Sequence, residues 1–154
     1  MRTRRLKTRT HPRRGATLVE AALVTVALLS LLLGTLDLGI AVLRYNMLSE
    51  AARTGARMAI VHGADAPSEM AAWNAATAAT QIKTALEPLM AGSGVAAGDF
   101  IVTVTYEQSG GADAVKPGRP VTVLVSHNWL PIVTFLFGNA AVPLSATSKM
   151  IIAN

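Results

Sequence analysis

Hydrophobic and polar positions follow three different rhythms along this chain. From position 21 to 43 apolar residues run on with Asp37 as the single charged interruption. At 1.5 Å per residue this stretch makes about 35 Å of helix, against about 30 Å for the hydrocarbon core of a bilayer. It predicts a membrane-spanning helix. Gly34 and Gly39 lie inside it at a spacing of five rather than the four of the small-residue packing motif, so they predict local helix flexibility or close approach of a neighbour. Beyond the run, Leu43, Met47, Ala51, Thr54, Met58 and Val61 recur at steps of three and four, while Arg44, Glu50, Arg53 and Arg57 supply a wetter side. That rhythm carries the same helix to about position 62 as an amphipathic element.

Positions 63–67, with a glycine and a proline, break the pattern. Ser68 is the expected N-cap of a second helix reaching about Leu86, with Glu69 in its first turn and Pro88 ending it. Trp73 on this helix reads as a core residue in preference to a partner-binding anchor. From Phe100 the period drops to two: Phe100, Val102, Val104 and Tyr106 share one face of a strand. Val121, Val123 and Val125 mark a second strand ending near Ser126, and positions 142–151 a third, all antiparallel. Between them, the apolar segment 128–137 is too short to cross a bilayer. It is either a small helix plugging the sheet onto the helices, which we favour, or a surface that touches membrane or a partner. The expected fold is therefore α+β: a basic leader (1–15), a long helix (16–62) with its transmembrane part at about 21–43, and an extracytoplasmic domain (63–154) with a second helix and an antiparallel sheet of about three strands.

Composition sharpens this picture. Hydrophobic residues make up 51% of the 154 and charged residues only 15%, an excess that the membrane segment explains. The formal charge of +5 belongs to the leader: seven of the 14 basic residues and none of the nine acids lie in residues 1–14, leaving the remainder at −2. Clustered arginines also suit phosphate binding, but these abut a membrane span and lack interleaved aromatics. Orientation by the positive-inside rule, N-terminus in the cytoplasm, is the simpler reading, and no nucleic-acid partner is assigned. The chain has no cysteine, which removes disulfides, thiolate zinc sites and thiol catalysis. His11, His62 and His127 lie far apart without metal-ligand neighbours. Ser30 and Ser49 belong to no discernible triad, and Asp65, Glu69, Glu87, Asp99 and Asp113 look like surface acids. No enzymatic activity, metal or cofactor is expected.

The chemistry that remains lies in Arg13-Arg14-Gly15-Ala16-Thr17-Leu18-Val19-Glu20. Glu20 is the only ionisable side chain between positions 16 and 36, and a carboxylate in hydrocarbon costs roughly 2.5–3.5 kcal/mol or more unless paired. Cleavage between Gly15 and Ala16 creates an α-amino cation near it, on the same chain or on a neighbouring copy. These residues resemble the precursors of type IV pilin-like proteins, whose prepilin peptidase cuts after a glycine and leaves glutamate fifth. The passage Asp37-Leu38-Gly39, then Tyr45-Asn46, then Ala51-Ala52-Arg53-Thr54-Gly55-Ala56-Arg57-Met58-Ala59 resembles the TadE-like family of pseudopilins from tight-adherence pilus systems. Two departures stand out. Leu38 replaces the usual aromatic after the acid, and Ala21 follows Glu20 where major pilins of this class often carry an aromatic.

The resemblance implies a minor pilin or pseudopilin of a tight-adherence pilus assembly and secretion system, held in a bacterial inner membrane and open to incorporation into a pilus. Its partners are then the prepilin peptidase, other pilins or pseudopilins, the pilus assembly machinery and the lipid bilayer. Gly15 and Ala16 form the processing site, and Glu20 pairs with an N-terminal amine. Asp37, Arg53 and Arg57 are candidate subunit contacts. The alternative for Asp37 is an end-of-helix acid reaching interfacial water, and for the two arginines a solvated face. Two other functions compete: an uncleaved membrane-anchored envelope binding module, and a soluble protein exported through a twin-arginine signal around Arg4-Arg5, which requires cleavage beyond the apolar run.

Overall fold

The computed structural model describes residues 14–63, 73–107, 115–133 and 140–152. Helix α1, Arg14–Val61, runs unbroken for 48 residues, about 72 Å at the standard rise. No proline lies within it, and its threonines stay helix-compatible by back-bonding. Thr25 Oγ1 donates to the Ala21 carbonyl and Thr35 Oγ1 to that of Leu31, both at 2.8 Å. Positions 15–36 are exposed or half-buried throughout, and the first buried residue on the described helix is Asp37. The helix is therefore in two parts, one projecting and one embedded in the α+β body.

That body holds α2, Ala75–Ala91, and three strands, β1 Phe100–Tyr106, β2 Pro120–Trp129 and β3 Val142–Ile151. The strands form one antiparallel sheet in the order β1-β2-β3, with Val102 opposite Val125 and Val125 opposite Ala146. Alternation places Phe100, Val102, Val104, Val121, Val123 and Val125 on the face that receives the helices. The opposite face carries Thr103, Thr105, Thr122, Ser126, Ser145 and Thr147. Embedded α1 lies mainly against β3 and β2, and α2 against β1 and α1. Exposed Lys149 pairs with Glu107 across the sheet.

The amphipathic stripe on α1 differs from the expected one. Leu43 and Val61 are exposed, whereas Leu48, Ala51, Ala52, Gly55, Ala56 and Ala59 are buried. The large residues are displaced because the sheet comes too close for them. A β-carbon on Gly55 would lie 2.8 Å from Ile82 Cγ2 and 3.2 Å from Val123 Cγ1. Gly55 thus permits the close approach of α1 to both α2 and β2.

The second helix also differs. Asn74, not Ser68, is its N-cap: the backbone there is extended and Asn74 Oδ1 accepts from the Thr77 amide at 2.8 Å. Ser68 and Glu69 lie outside the described residues, and Trp73 and Asn74 themselves are not helical. Trp73 instead stacks on His62 (3.6 Å between ring centroids, 11° between planes), donates its amide to the His62 carbonyl at 3.1 Å, and packs against the core. Pro88 sits inside α2 rather than ending it. Ala78, Ile82, Leu86 and Met90 form one buried row at steps of four, and Pro88 forfeits only one hydrogen bond in the last turn, which the burial of Met90 offsets.

Strand β2 runs three residues beyond the expected end, because His127 and Trp129 continue the buried alternation and β2 is hydrogen-bonded on both sides. Segment 128–137 is consequently no helical plug over its described part. Trp129 and Val133 are buried and Leu130 and Ile132 exposed, while positions 134–137 lie outside the described residues.

Candidate functional site

Strand β2 and the residues after it run antiparallel to α1 and touch it at three levels. Gly55 meets Val123, Arg44 meets His127, and Asp37 meets Ile132 and Val133. From Gly55 to Asp37 the helix rises about 27 Å, and the nine residues from Val123 to Ile132 reach about 30 Å when extended, so the two elements keep pace.

At the lowest level, Asp37 is 4% exposed. Its Oδ1 accepts from the Ile132 amide and its Oδ2 from the Val133 amide, both at 2.8 Å. Two backbone donors on one carboxylate form a fork that supplies the buried anion with charge-assisted hydrogen bonds. Asp37 therefore does not reach interfacial water, and both its oxygens are committed within the chain. Leu38, which replaces the aromatic, points outward and is exposed.

Seven residues further along, the Arg44 Nη1 lies 3.1 Å from His127 Nε2, and His127 Nδ1 lies 2.7 Å from the Asp99 carbonyl oxygen. A guanidinium only donates, so Nε2 accepts and Nδ1 carries the proton that goes to Asp99. The buried imidazole is thus a neutral bridge between the helix and the start of β1. Arg44 Nε is buried without a hydrogen-bond partner among the described residues. Neither Arg44 nor His127 stood out in the sequence. The available signal was a histidine on the core face of an alternating strand, in phase with Val121, Val123 and Val125.

The other candidate residues lie elsewhere. Gly15 and Ala16 are exposed in the first turns of α1, and nothing comes within 4 Å of a β-carbon built on Gly15. Glu20 is exposed and makes no hydrogen bond or ion pair with any described residue. One helical turn separates it from Ala16 on the same face. Arg53 and Arg57 project into solvent on the side of α1 away from the sheet; Arg53 lies 3.9 Å from Glu50, an exposed pair of small energetic weight. The structure brings Asp37 into the body and leaves Gly15, Ala16, Glu20, Arg53 and Arg57 on the outside.

Helix α1 carries both the projecting apolar half and the buried Ala-Ala-x-x-Gly-Ala face. Residues 15–57 match the family model described as TadE-like protein. No curated protein and no solved structure gives a significant match to the chain. The TadE-like segment coincides with α1 from its start to the Gly55-Ala56 contact, so it contains the projecting half, Asp37, Arg44 and most of the small-residue face. The match points to a protein associated with tight-adherence pilus machinery. The matched segment covers most of the one described helix long and apolar enough to cross a membrane.

Proposed function

We propose that this protein is a minor pilin or pseudopilin of a tight-adherence pilus assembly and secretion system. A prepilin peptidase cuts it between Gly15 and Ala16, and it assembles with other pilins through the first half of α1. The carrying observation is that half itself: none of positions 15–36 is buried in its own domain, and Glu20, the single acid among them, has no partner among the described residues. A projecting apolar helix needs lipid or other helices around it, and a carboxylate within it needs a cation. The free amine of Ala16 on an adjacent subunit meets that need. The role is structural, with no catalytic step, and the domain stands on the far side of the inner membrane from the leader.

One observation favours the competing reading of an uncleaved anchored module. The Gly15-Ala16 bond lies in helical backbone rather than in an extended segment. Cleavage there needs local opening of the helix, which costs far less than global unfolding in an exposed segment with no packing against the domain. Intact mass and N-terminal sequence of the membrane-extracted protein, with and without active prepilin peptidase, separate the two. A peptidase-dependent start at Ala16, abolished by Gly15→Lys, is the expected result. A start at Met1 in both samples leaves the anchored module. With cleavage established, Glu20→Ala is expected to reduce incorporation into filaments more than membrane insertion, and normal incorporation of that variant overturns the amine pairing.

A further inference from the structure

We propose that the helix-proximal end of the domain seats on the bilayer surface at which α1 emerges, with Leu130 and Ile132 entering the acyl boundary and Arg44 facing lipid phosphate. The inference rests on the reading of α1 as a membrane helix, and on three observations about depth, shape and charge.

Depth comes first. On its free side α1 stays apolar past Asp37, through exposed Leu38, Val42 and Leu43 to Tyr45. From position 15 to 45 the helix rises about 45 Å, close to the thickness of a bilayer with its headgroup layers, and tyrosine is a residue of the interface. Level with this upper stretch, on the other side of the helix, lie the residues that follow β2. Ile132 is fixed at the height of Asp37, and His127 at the height of Arg44. A bilayer that covers Leu38 to Tyr45 on one side of α1 meets Leu130 and Ile132 on the other.

Shape comes next. Leu130 is 61% and Ile132 59% exposed, whereas Trp129 and Val133 beside them are buried. The alternation turns two large aliphatic side chains outward at the end of the sheet, and the Asp37 fork holds their backbone in place. Buried Asp37 adds no free charge to that surface.

Above them, Arg44, Asp99, His127 and Leu130 line a cavity of about 530 Å³. Arg44 stands there at headgroup depth, with Nη1 on the neutral His127 ring and Nε buried beneath it. Asp99 lines the same cavity, so its walls carry one cation and one anion, which suits a zwitterionic headgroup layer and needs no excess of anionic lipid.

Because the chain has no cysteine, single cysteines report depth directly. The full-length protein is reconstituted in phosphatidylcholine nanodiscs, with an environment-sensitive fluorophore at Leu28→Cys, Leu130→Cys, Ile132→Cys or Thr105→Cys, and quenched by lipids spin-labelled at shallow or deep acyl positions. Thr105 is exposed on the outer sheet face opposite Thr122, about 33 Å of strand from Ile132. The expected pattern is deep quenching at Leu28, shallow quenching at both Leu130 and Ile132, and neither at Thr105. If Leu28 is quenched but Leu130 and Ile132 behave like Thr105, the seat is overturned and the anchor stands. If Leu28 is not quenched, the membrane helix fails and the seat fails with it. The positions at 130 and 132 are both exposed, so agreement between them guards against a local disturbance from either label.

Discussion

The two halves of α1 use residue size in opposite ways. In the projecting half, large leucines and valines are exposed, and Gly34 has open space around its α-carbon. In the embedded half the buried face is built from Ala51, Ala52, Gly55, Ala56 and Ala59. One continuous helix thus carries large side chains where its own domain leaves it uncovered, and small ones where a sheet approaches within van der Waals contact. Hydrophobicity alone does not tell the halves apart; the space left by the partner does.

The largest effect expected from this contrast is at the boundary between the halves. Asp37→Ala removes both acceptors from the Ile132 and Val133 amides, and hydrogen bonds to a charged group contribute about 1.5–3 kcal/mol each. Denaturant unfolding in detergent should show a loss of about 3–6 kcal/mol. Glu20→Ala, which removes the other acid of the apolar half, should leave the midpoint unchanged. Equal midpoints for Asp37→Ala and wild type would show that the fork contributes nothing.

The glycines give the next test. Gly55→Val places a branched side chain against Ile82 and Val123, and overpacking of this kind costs about 1–3 kcal/mol. The same substitution at Gly34 meets open space. Thermal unfolding of the pair should therefore separate by several degrees. A Gly34→Val variant as destabilised as Gly55→Val would erase the distinction between the halves.

A smaller effect lies in the sheet that supports the embedded half. The Tyr106 hydroxyl is buried without a hydrogen-bond partner among the described residues, and burial pushes its pKa above the ordinary value of 10.0. Below the ordinary value both folded and unfolded chains keep the proton, so this phenol adds no pH dependence. As pH rises above 10 the unfolded chain ionises first, so stability falls until the folded-state pKa is passed. Tyr106→Phe should flatten that alkaline decline and raise stability at neutral pH by about 1 kcal/mol, since it deletes an unsatisfied polar group. Chemical denaturation at pH 7 and above pH 10 checks both arms.

The processing and pairing candidates were legible in the sequence because their chemistry is local. Gly15, Ala16 and Glu20 lie within one and a half turns, and the oddity of a lone acid in an apolar run needs no tertiary partner to be noticed. Asp37 was legible only as an anomaly, since its two donors are 95 and 96 residues away in sequence. His127 and Arg44 were not legible as a pair for the same reason, being separated by 83 residues. The N-cap at Asn74 and the passage of α2 through Pro88 also eluded local rules. There a stacked His62–Trp73 contact fixes the entry to the helix, and a buried row carries it beyond the proline.

By itself, the sequence determined the elements: one long helix with an apolar first half, a second helix, and three strands whose inward faces follow from period-two alternation. Those outcomes depend on φ/ψ preference and on hydrophobic period, both properties of neighbouring residues. Tertiary structure decided which face of α1 is buried, where α2 begins and ends, and which polar groups pair. The reason is geometric. Close approach of β2 and α2 selects the small-residue face around Gly55, and the antiparallel run of β2 along α1 delivers the Ile132 and Val133 amides to Asp37 and the His127 ring to Arg44.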